Sequence, residues 1–156
     1  MICVVDTSLW VLSEHPSDPR FDAAHEVLPK LARRADICSP TLMAYEVCHL
    51  VFVKRKDPRE DVTTRQARVQ RLLAPLTLVP SDWATLGSVA ETCGLSAYDA
   101  TYLELATRLG AVLATEDHRL HQAGIRILGP GRAFRLAGLA AWLDSSPASP
   151  MPDETS

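Results

Sequence analysis

The sequence predicts a three-layer α/β/α fold with a central parallel sheet of four or five strands. Three observations lead there. Short apolar runs rich in β-branched residues recur along the chain, segments with helical apolar spacing separate them, and 156 residues at 47% hydrophobic content suit one domain. A domain of this size buries roughly 70% of the surface its unfolded chain exposes, so its core needs no disulfide or zinc staple.

Ile2 to Val5 reads as a strand buried on both faces, and Thr7 and Ser8 offer caps for a helical segment around Leu9 to Ser13. The HPSDP stretch at 15–19 is a loop, and a helix follows from about Phe21 to Arg34. Ala35 to Ser39 predicts the second strand, stopped by Pro40. Thr41 can then cap a helix running through Leu42, Tyr45, Glu46 and Leu50 to Val53. The charged KRKDPRED stretch at 54–61 turns the chain into a helix from about Arg59 to Leu73, and Leu76 to Val79 is the third strand.

Ser81 or Asp82 caps a helix that runs to Cys93 and closes at Gly94; Ser96 opens another that ends near Leu109 and Gly110. Ala111 to Ala114 is the fourth strand. Asp117 starts a short helix expected to end at Gly124, with Ile125 to Leu128 as a fifth strand, GPGR at 129–132 as a turn, and a last helix over about Ala133 to Leu143. The folded domain is thus expected to span 1–143. The tail 144–156, with SSPASPMPDETS after Asp144, carries three prolines and is expected to be disordered.

Sixteen Lys and Arg against nineteen Asp and Glu give a net charge of −3, which excludes a protein that holds nucleic acid by bulk positive charge. Without residues 145–156, which hold Asp153, Glu154 and no base, the balance is −1. Cys3, Cys38, Cys48 and Cys93 form no CxxC pair and no zinc spacing, so reduced thiols are expected. The apolar start has no basic leader, and no apolar run reaches the ~18 residues of a membrane span, so a soluble, cytoplasmic protein without membrane attachment is expected.

In an open parallel sheet the ligand crevice lies beyond the carboxyl ends of the strands. The residues expected there are acidic. Asp6 directly follows strand one, Asp117 follows strand four, Glu46 lies in the helix after strand two, and Asp99 lies in the first turn of the helix leading into strand four. Each has a bland alternative: Asp6 or Asp117 as a helix cap, Asp99 as a first-turn charge matching the helix dipole, Glu46 as an exposed helix residue. Together they suggest a cation site, because two carboxylates about 4 Å apart repel by roughly 4 kcal/mol at an effective dielectric of 20. Oxygen ligands without His or Cys suit Mg²⁺ or Mn²⁺, and such an ion suits phosphate chemistry.

The run VVDTS at 4–8, Glu46 of LMAYEV, SAYDATYLELA at 96–106 and LATEDHRL at 113–120 resemble, in order and spacing, the four motifs of the PIN domain family, and within it the VapC-type toxins of toxin–antitoxin pairs. The resemblance covers residues 1 to about 140. It implies a Mg²⁺- or Mn²⁺-dependent endoribonuclease that hydrolyses RNA to a 5′-phosphate and a 3′-hydroxyl. Asp6, Asp99 and Asp117 would hold the metal, and Glu46 would bind it or position the water. Thr115, and Thr7 or Ser8, would orient acids or water, and Glu116 is expected to face outward; independently of the resemblance, Arg119, two residues past Asp117, is a candidate to contact phosphate. The resemblance further implies a homodimer and a small cognate antitoxin that places a basic side chain among the acids.

Other signals lead elsewhere. Glu46 and His49 have the E-x-x-H spacing of di-iron bundles, but no second pair exists; His118 and His121 are too few for zinc; no G-x-S-x-G elbow is present, and GPGR lacks the Lys-Ser/Thr of a phosphate loop. Lys54, Arg55, Lys56 and Arg59, with Arg65, Arg68 and Arg71 beyond, make either a salt-bridging face or a track for an RNA backbone. Trp10, Leu12 and Phe52 are expected to serve the core. Two other functions fit the acids: a non-catalytic binding or assembly module of the same fold, and a phosphotransfer domain with Asp6 as nucleophile. The second lacks the Asp that the phosphatase motif wants where Ser8 stands.

Overall fold

The computed structural model describes residues 1–54 and 57–145. Arg55, Lys56 and the tail from 146 onward lie outside the described residues. Five strands, β1 (Ile2–Val5), β2 (Asp36–Pro40), β3 (Thr77–Val79), β4 (Val112–Ala114) and β5 (Ala133–Phe134), form one parallel sheet in the order β3-β2-β1-β4-β5. From β1 the chain first builds outward through β2 and β3, then returns to the other side for β4 and β5. The order therefore reverses at β1 and β4, the place where an α/β sheet opens a crevice.

Side chains alternate across the central strands and divide the core into two layers. Cys3, Val5, Ile37, Val112 and Ala114 face one apolar layer with Leu9, Leu31, Met43 and Leu139, whereas Val4, Cys38 and Leu113 face the other with Tyr102, Leu105 and Leu120. The first layer is closed by α1 (Thr7–Trp10), α2 (Phe21–Arg34), α3 (Leu42–His49), α4 (Val62–Leu73) and α8 (Leu136–Ser145). The second is closed chiefly by α6 (Ala97–Arg108) and α7 (His118–Leu128), with α5 (Trp83–Cys93) packed on α6. Trp10, Leu12 and Phe52 join the first layer as expected, and the Trp10 indole N–H donates to the Leu72 carbonyl at 2.9 Å. All four cysteines are free, and burial pushes the Cys3 thiol up to about 12, so it is an inert core group.

Side-chain caps set the starts of four helices. The side chains of Asp61, Asp82 and Asp117 accept from backbone N–H groups at the starts of α4, α5 and α7, and Ser96 does the same for α6. The helix expected from Arg59 accordingly starts after Asp61. Gly94 closes α5 in the left-handed region at φ +64°. The first short helix takes Asp6 rather than Thr7 or Ser8 as its N-cap residue, and α1 passes at Val11 into a 3₁₀ turn over Val11–Glu14. A π-helical turn over Leu50–Lys54 extends α3.

Three expectations fail in one region. Residues 125–128 are the last turn of α7, not a strand; the fifth strand is Ala133–Phe134, after the Gly-Pro-Gly turn; and the last helix starts at Leu136. Gly124 does not end the helix. It lies buried inside α7, where an added Cβ would stand 2.8 Å from Ala133 Cβ and 3.0 Å from Leu113 Cδ2, so the missing side chain lets the helix settle on β4 and β5.

Candidate active site

Asp6 leaves the end of β1 with its backbone N–H still bonded to the Ala114 carbonyl of β4 at 2.9 Å. This places it beside Thr115, the first residue after β4. Its carboxylate Oδ2 accepts the Thr115 hydroxyl at 2.7 Å and the Ser8 hydroxyl at 2.5 Å. Ser8 Oγ in turn accepts the Glu116 N–H at 3.0 Å, and Thr115 Oγ1 accepts the Asp117 N–H at 3.0 Å. The loops after β1 and β4 are thereby knitted into one unit around a single carboxylate.

Asp6 is 7% exposed, occupies the N-cap position of α1 and makes no capping bond with its side chain. A helix cap is therefore not its role. Burial pushes its carboxyl up to about 6, the two hydroxyl bonds oppose that rise, and the charge of Glu46 adds to it.

Glu46, half-buried on α3, accepts at Oε2 from Thr7 at 2.5 Å and from the phenol of Tyr102; Thr7 and Tyr102 also bond each other at 2.8 Å. Tyr102, 1% exposed, was missed in the sequence reading. Burial first, then the charges of Glu46 and Asp6, raise its phenol well above the ordinary range, so it acts as a fixed donor. It lies three residues beyond Asp99 on α6, a spacing that puts both on one helix face and was the available signal.

Asp99 and Asp117 are held differently. Asp99 Oδ2 accepts the Ser96 hydroxyl at 2.7 Å while its N–H donates to Ser96 Oγ at 3.1 Å, and Asp117 Oδ1 accepts the Leu120 N–H at 2.7 Å. Each serves its own helix start, as the bland alternative allowed. Among the described residues no three His, Cys, Asp or Glu side chains converge as a metal group. The donors nonetheless fit a hard divalent cation: they are carboxylate oxygens, each of these bonds engages one oxygen of its carboxylate, and Asp6, lifted by burial first and by the charge of Glu46 second, is a buried carboxylate whose charge a cation would stabilise.

Glu116 does not face outward. Its side chain, 7% exposed, accepts from Arg20 at 2.8 Å, Arg135 at 3.0 Å and the Leu136 N–H at 2.8 Å. Burial works to raise its carboxyl, but these bonds prevail and hold it below the ordinary range. Arg119 reaches the Gly94 carbonyl at 2.7 Å, tying α7 to the end of α5. The basic face of α4 is largely engaged within the chain: Arg68 pairs with Glu14 and Glu60, Arg71 with Glu14, and buried Arg65 donates to the Asp57 carbonyl at 3.3 Å with its guanidinium 5.7 Å from the Phe52 ring centre, while the Nε atoms of Arg65 and Arg68 lack a hydrogen-bond partner among the described residues.

The three-layer parallel α/β fold, with the buried carboxylate of Asp6 at its switch point, is that of a PIN domain: the chain matches that family over residues 3–125 and belongs to it. PIN domains are generally nucleases and generally use divalent metal ions. Among solved structures the chain is similar to PAE2754 from Pyrobaculum aerophilum (22% identity, TM-score 0.68, 94% of this chain and 91% of that one). It is also similar to VapBC2 from Rickettsia felis bound to a DNA fragment from their promoter (18%, 0.59, 86% and 97%) and FitAcB from Neisseria gonorrhoeae (19%, 0.58, 79% and 92%). No curated protein matches by sequence. Among the described residues no helix is long and apolar enough to cross a membrane.

Proposed function

We propose that the protein is a Mg²⁺- or Mn²⁺-dependent endoribonuclease and the toxin of a toxin–antitoxin pair. The observation that carries this reading is Asp6, a buried carboxylate held by hydroxyls of two different loops at the switch point of a PIN-domain sheet. Asp6, Asp99 and Asp117 would hold the metal, and Glu46 would bind it or hold a water. When bound, the ion supplies a Lewis acid that activates water and neutralises phosphate oxygens. Ser8 and Thr115 fix Asp6 and keep one of its oxygens engaged; Thr7 and Tyr102 do the same for Glu46, whose remaining oxygen can take a proton from water.

The partners in this reading are RNA, a second copy of the chain, and an antitoxin. VapBC2 and FitAcB support the last. An acidic site of this kind is complementary to a basic antitoxin side chain, which would compete with the metal. A non-catalytic module of the same fold is the alternative.

The test is cleavage of RNA with Mg²⁺, with EDTA, and by Asp6→Asn and Asp99→Asn. The expected result is cleavage by the wild type with metal alone and loss in both variants, with Mn²⁺ raising the melting point of the wild type. Metal-independent cleavage, or full activity in either variant, rejects it. Co-purification with the product of a neighbouring open reading frame checks the antitoxin.

A further inference from the structure

The largest cavity, about 620 Å³, is lined by Thr7, Glu46, Leu50 and Lys54 among others and belongs to the site already described. A second hollow, of about 230 Å³, shares no residue with it. Cys93 to Leu95 line this hollow from the junction of α5 and α6, and His118, Arg119, Gln122 and Arg126 line it from α7. Positions 119, 122 and 126 follow the three- and four-residue spacing of one helix face.

Two cations are held at the same helix end. Arg119 Nη2 donates to the Gly94 carbonyl at 2.7 Å, and Arg126 Nη2 donates to the Cys93 carbonyl at 3.2 Å. These bonds cover carbonyls at the end of α5 and use one of the five N–H donors of each guanidinium. Arg20, Arg68, Arg108 and Arg135 each pair with a carboxylate, whereas among the described residues Arg119 and Arg126 pair with none. No Asp or Glu lines the hollow, so two like charges share it in a chain whose net charge is −3. The four α7 residues are exposed, which leaves the hollow open to a ligand from solvent.

We propose that this hollow binds a phosphate dianion, either the terminal phosphate of a nucleotide or the free ion. Such a group carries nearly two negative charges at neutral pH and three acceptor oxygens, so it can accept from both guanidiniums and balance both. A carboxylate or a phosphodiester, with one charge, balances only one of them. The Gln122 amide and the His118 ring supply further donors. The segments that line the hollow run directly into acids of the candidate site: Leu95 is followed by Ser96, whose hydroxyl bonds Asp99, and His118 follows Asp117. A 5′-phosphate end left by the proposed cleavage is a dianion of this kind; that link rests on the nuclease reading, and the phosphate site itself does not.

The test is two-dimensional amide NMR of the full chain in EDTA, titrated with inorganic phosphate, adenosine 5′-monophosphate, adenosine, and sodium chloride at matched ionic strength. Saturable shifts of the Gly94, Leu95 and Gln122 signals are expected with phosphate and the nucleotide, and none with adenosine or chloride. Arg119→Gln and Arg126→Gln keep an amide donor and remove the charge, so each is expected to weaken binding about tenfold and to leave the rest of the spectrum unchanged.

Equal affinity for phosphate and nucleotide makes the phosphate group the whole ligand, a tighter nucleotide adds its nucleoside, and both results support the site. Adenosine binding as well as the nucleotide, shifts confined to other residues, variants that bind like the wild type, or chloride reproducing the phosphate shifts each overturn it. If a variant fails to fold, the wild-type shift map decides alone. No metal and no cleavage enter the experiment, so its failure leaves the nuclease reading standing, and a protein that binds phosphate here without cleaving RNA loses only that reading.

Discussion

The phenol of Tyr102 donates directly to Glu46 Oε2 from a position 56 residues further along the chain. α6 thereby reaches under the sheet edge and holds an acid that belongs to α3. Thr7, bonded to both, brings β1 into the same contact. Three segments distant in sequence converge on one carboxylate oxygen, so Glu46 has little rotational freedom left.

Tyr102→Phe keeps the buried ring and removes the donor. A hydrogen bond to a charged group contributes about 1.5–3 kcal/mol, so RNA cleavage is expected to fall roughly 10- to 100-fold if that contribution is expressed in the transition state. Steady-state kinetics should show the loss in kcat rather than in KM, with little change in melting temperature.

Asp6 makes the metal-free protein pH-sensitive. Its folded carboxyl lies near 6 against an ordinary 3.8. A raised acid favours folding fully below its unfolded value, and that contribution is lost as pH rises through the folded value. The loss across both values, from well below pH 4 to pH 7, amounts to about 3 kcal/mol. Urea titrations in EDTA should find Asp6→Asn more stable than the wild type at pH 8, with the gap closing toward pH 4. Mn²⁺ should stabilise the wild type at pH 8 and leave the variant unchanged.

Glu116 clamps the loop before α2, the start of α8 and the loop after β4. Glu116→Ala strands Arg135 and the Leu136 N–H, while Arg20 keeps Asp18 at 2.8 Å; because both arginines are 45% exposed, the expected loss is moderate, about 1–2 kcal/mol in chemical denaturation. Its carboxyl is held low, so the stabilisation is present above its ordinary 4.5 and lost in acid. Wild type and Glu116→Gln should therefore converge in stability as pH falls below 4.

Gly124→Ala tests the close approach of α7 to the sheet. Alanine gains about 1 kcal/mol of helix propensity at an ordinary position. Here its Cβ would meet Ala133 at 2.8 Å and Leu113 at 3.0 Å, so overpacking of about 1–3 kcal/mol is expected to prevail. A net fall in the denaturation midpoint is the outcome; a rise would show that α7 can shift without cost.

β1, β2 and β4 were legible as short, largely buried runs with a proline or a polar residue at the end, and the edge strand β3, only half-buried, was legible from its apolar run before Pro80. The region after Asp117 was not. Ile125, Arg126, Ile127 and Leu128 alternate as a strand would, but Asp117 caps a helix that carries Leu120, Ala123 and Gly124 inward and continues through them. The true fifth strand is two residues long, too short for any period, and is held by backbone bonds from Leu113 to Arg132 and from Thr115 to Phe134. The positions of Asp6 and Asp117, just past β1 and β4, could be read from strand ends. The role of Glu116 could not, because its partners come from distant segments: Arg20 lies 96 residues before it.

The π-helical turn at Leu50–Lys54 sets the phase of the chain leaving α3. Four residues of α-helix advance a side chain by about 400°, overshooting one full turn by roughly 40°. Four residues of π-helix, at about 4.4 per turn, advance it by roughly 330° and so undershoot by a similar angle. The overshoot from Glu46 to Leu50 is thus cancelled between Leu50 and Lys54, and all three line the same cavity. One extra residue in a single turn returns a cation to the azimuth of the carboxylate two turns earlier, and a one-residue deletion there would swing Lys54 away while leaving Glu46 in place.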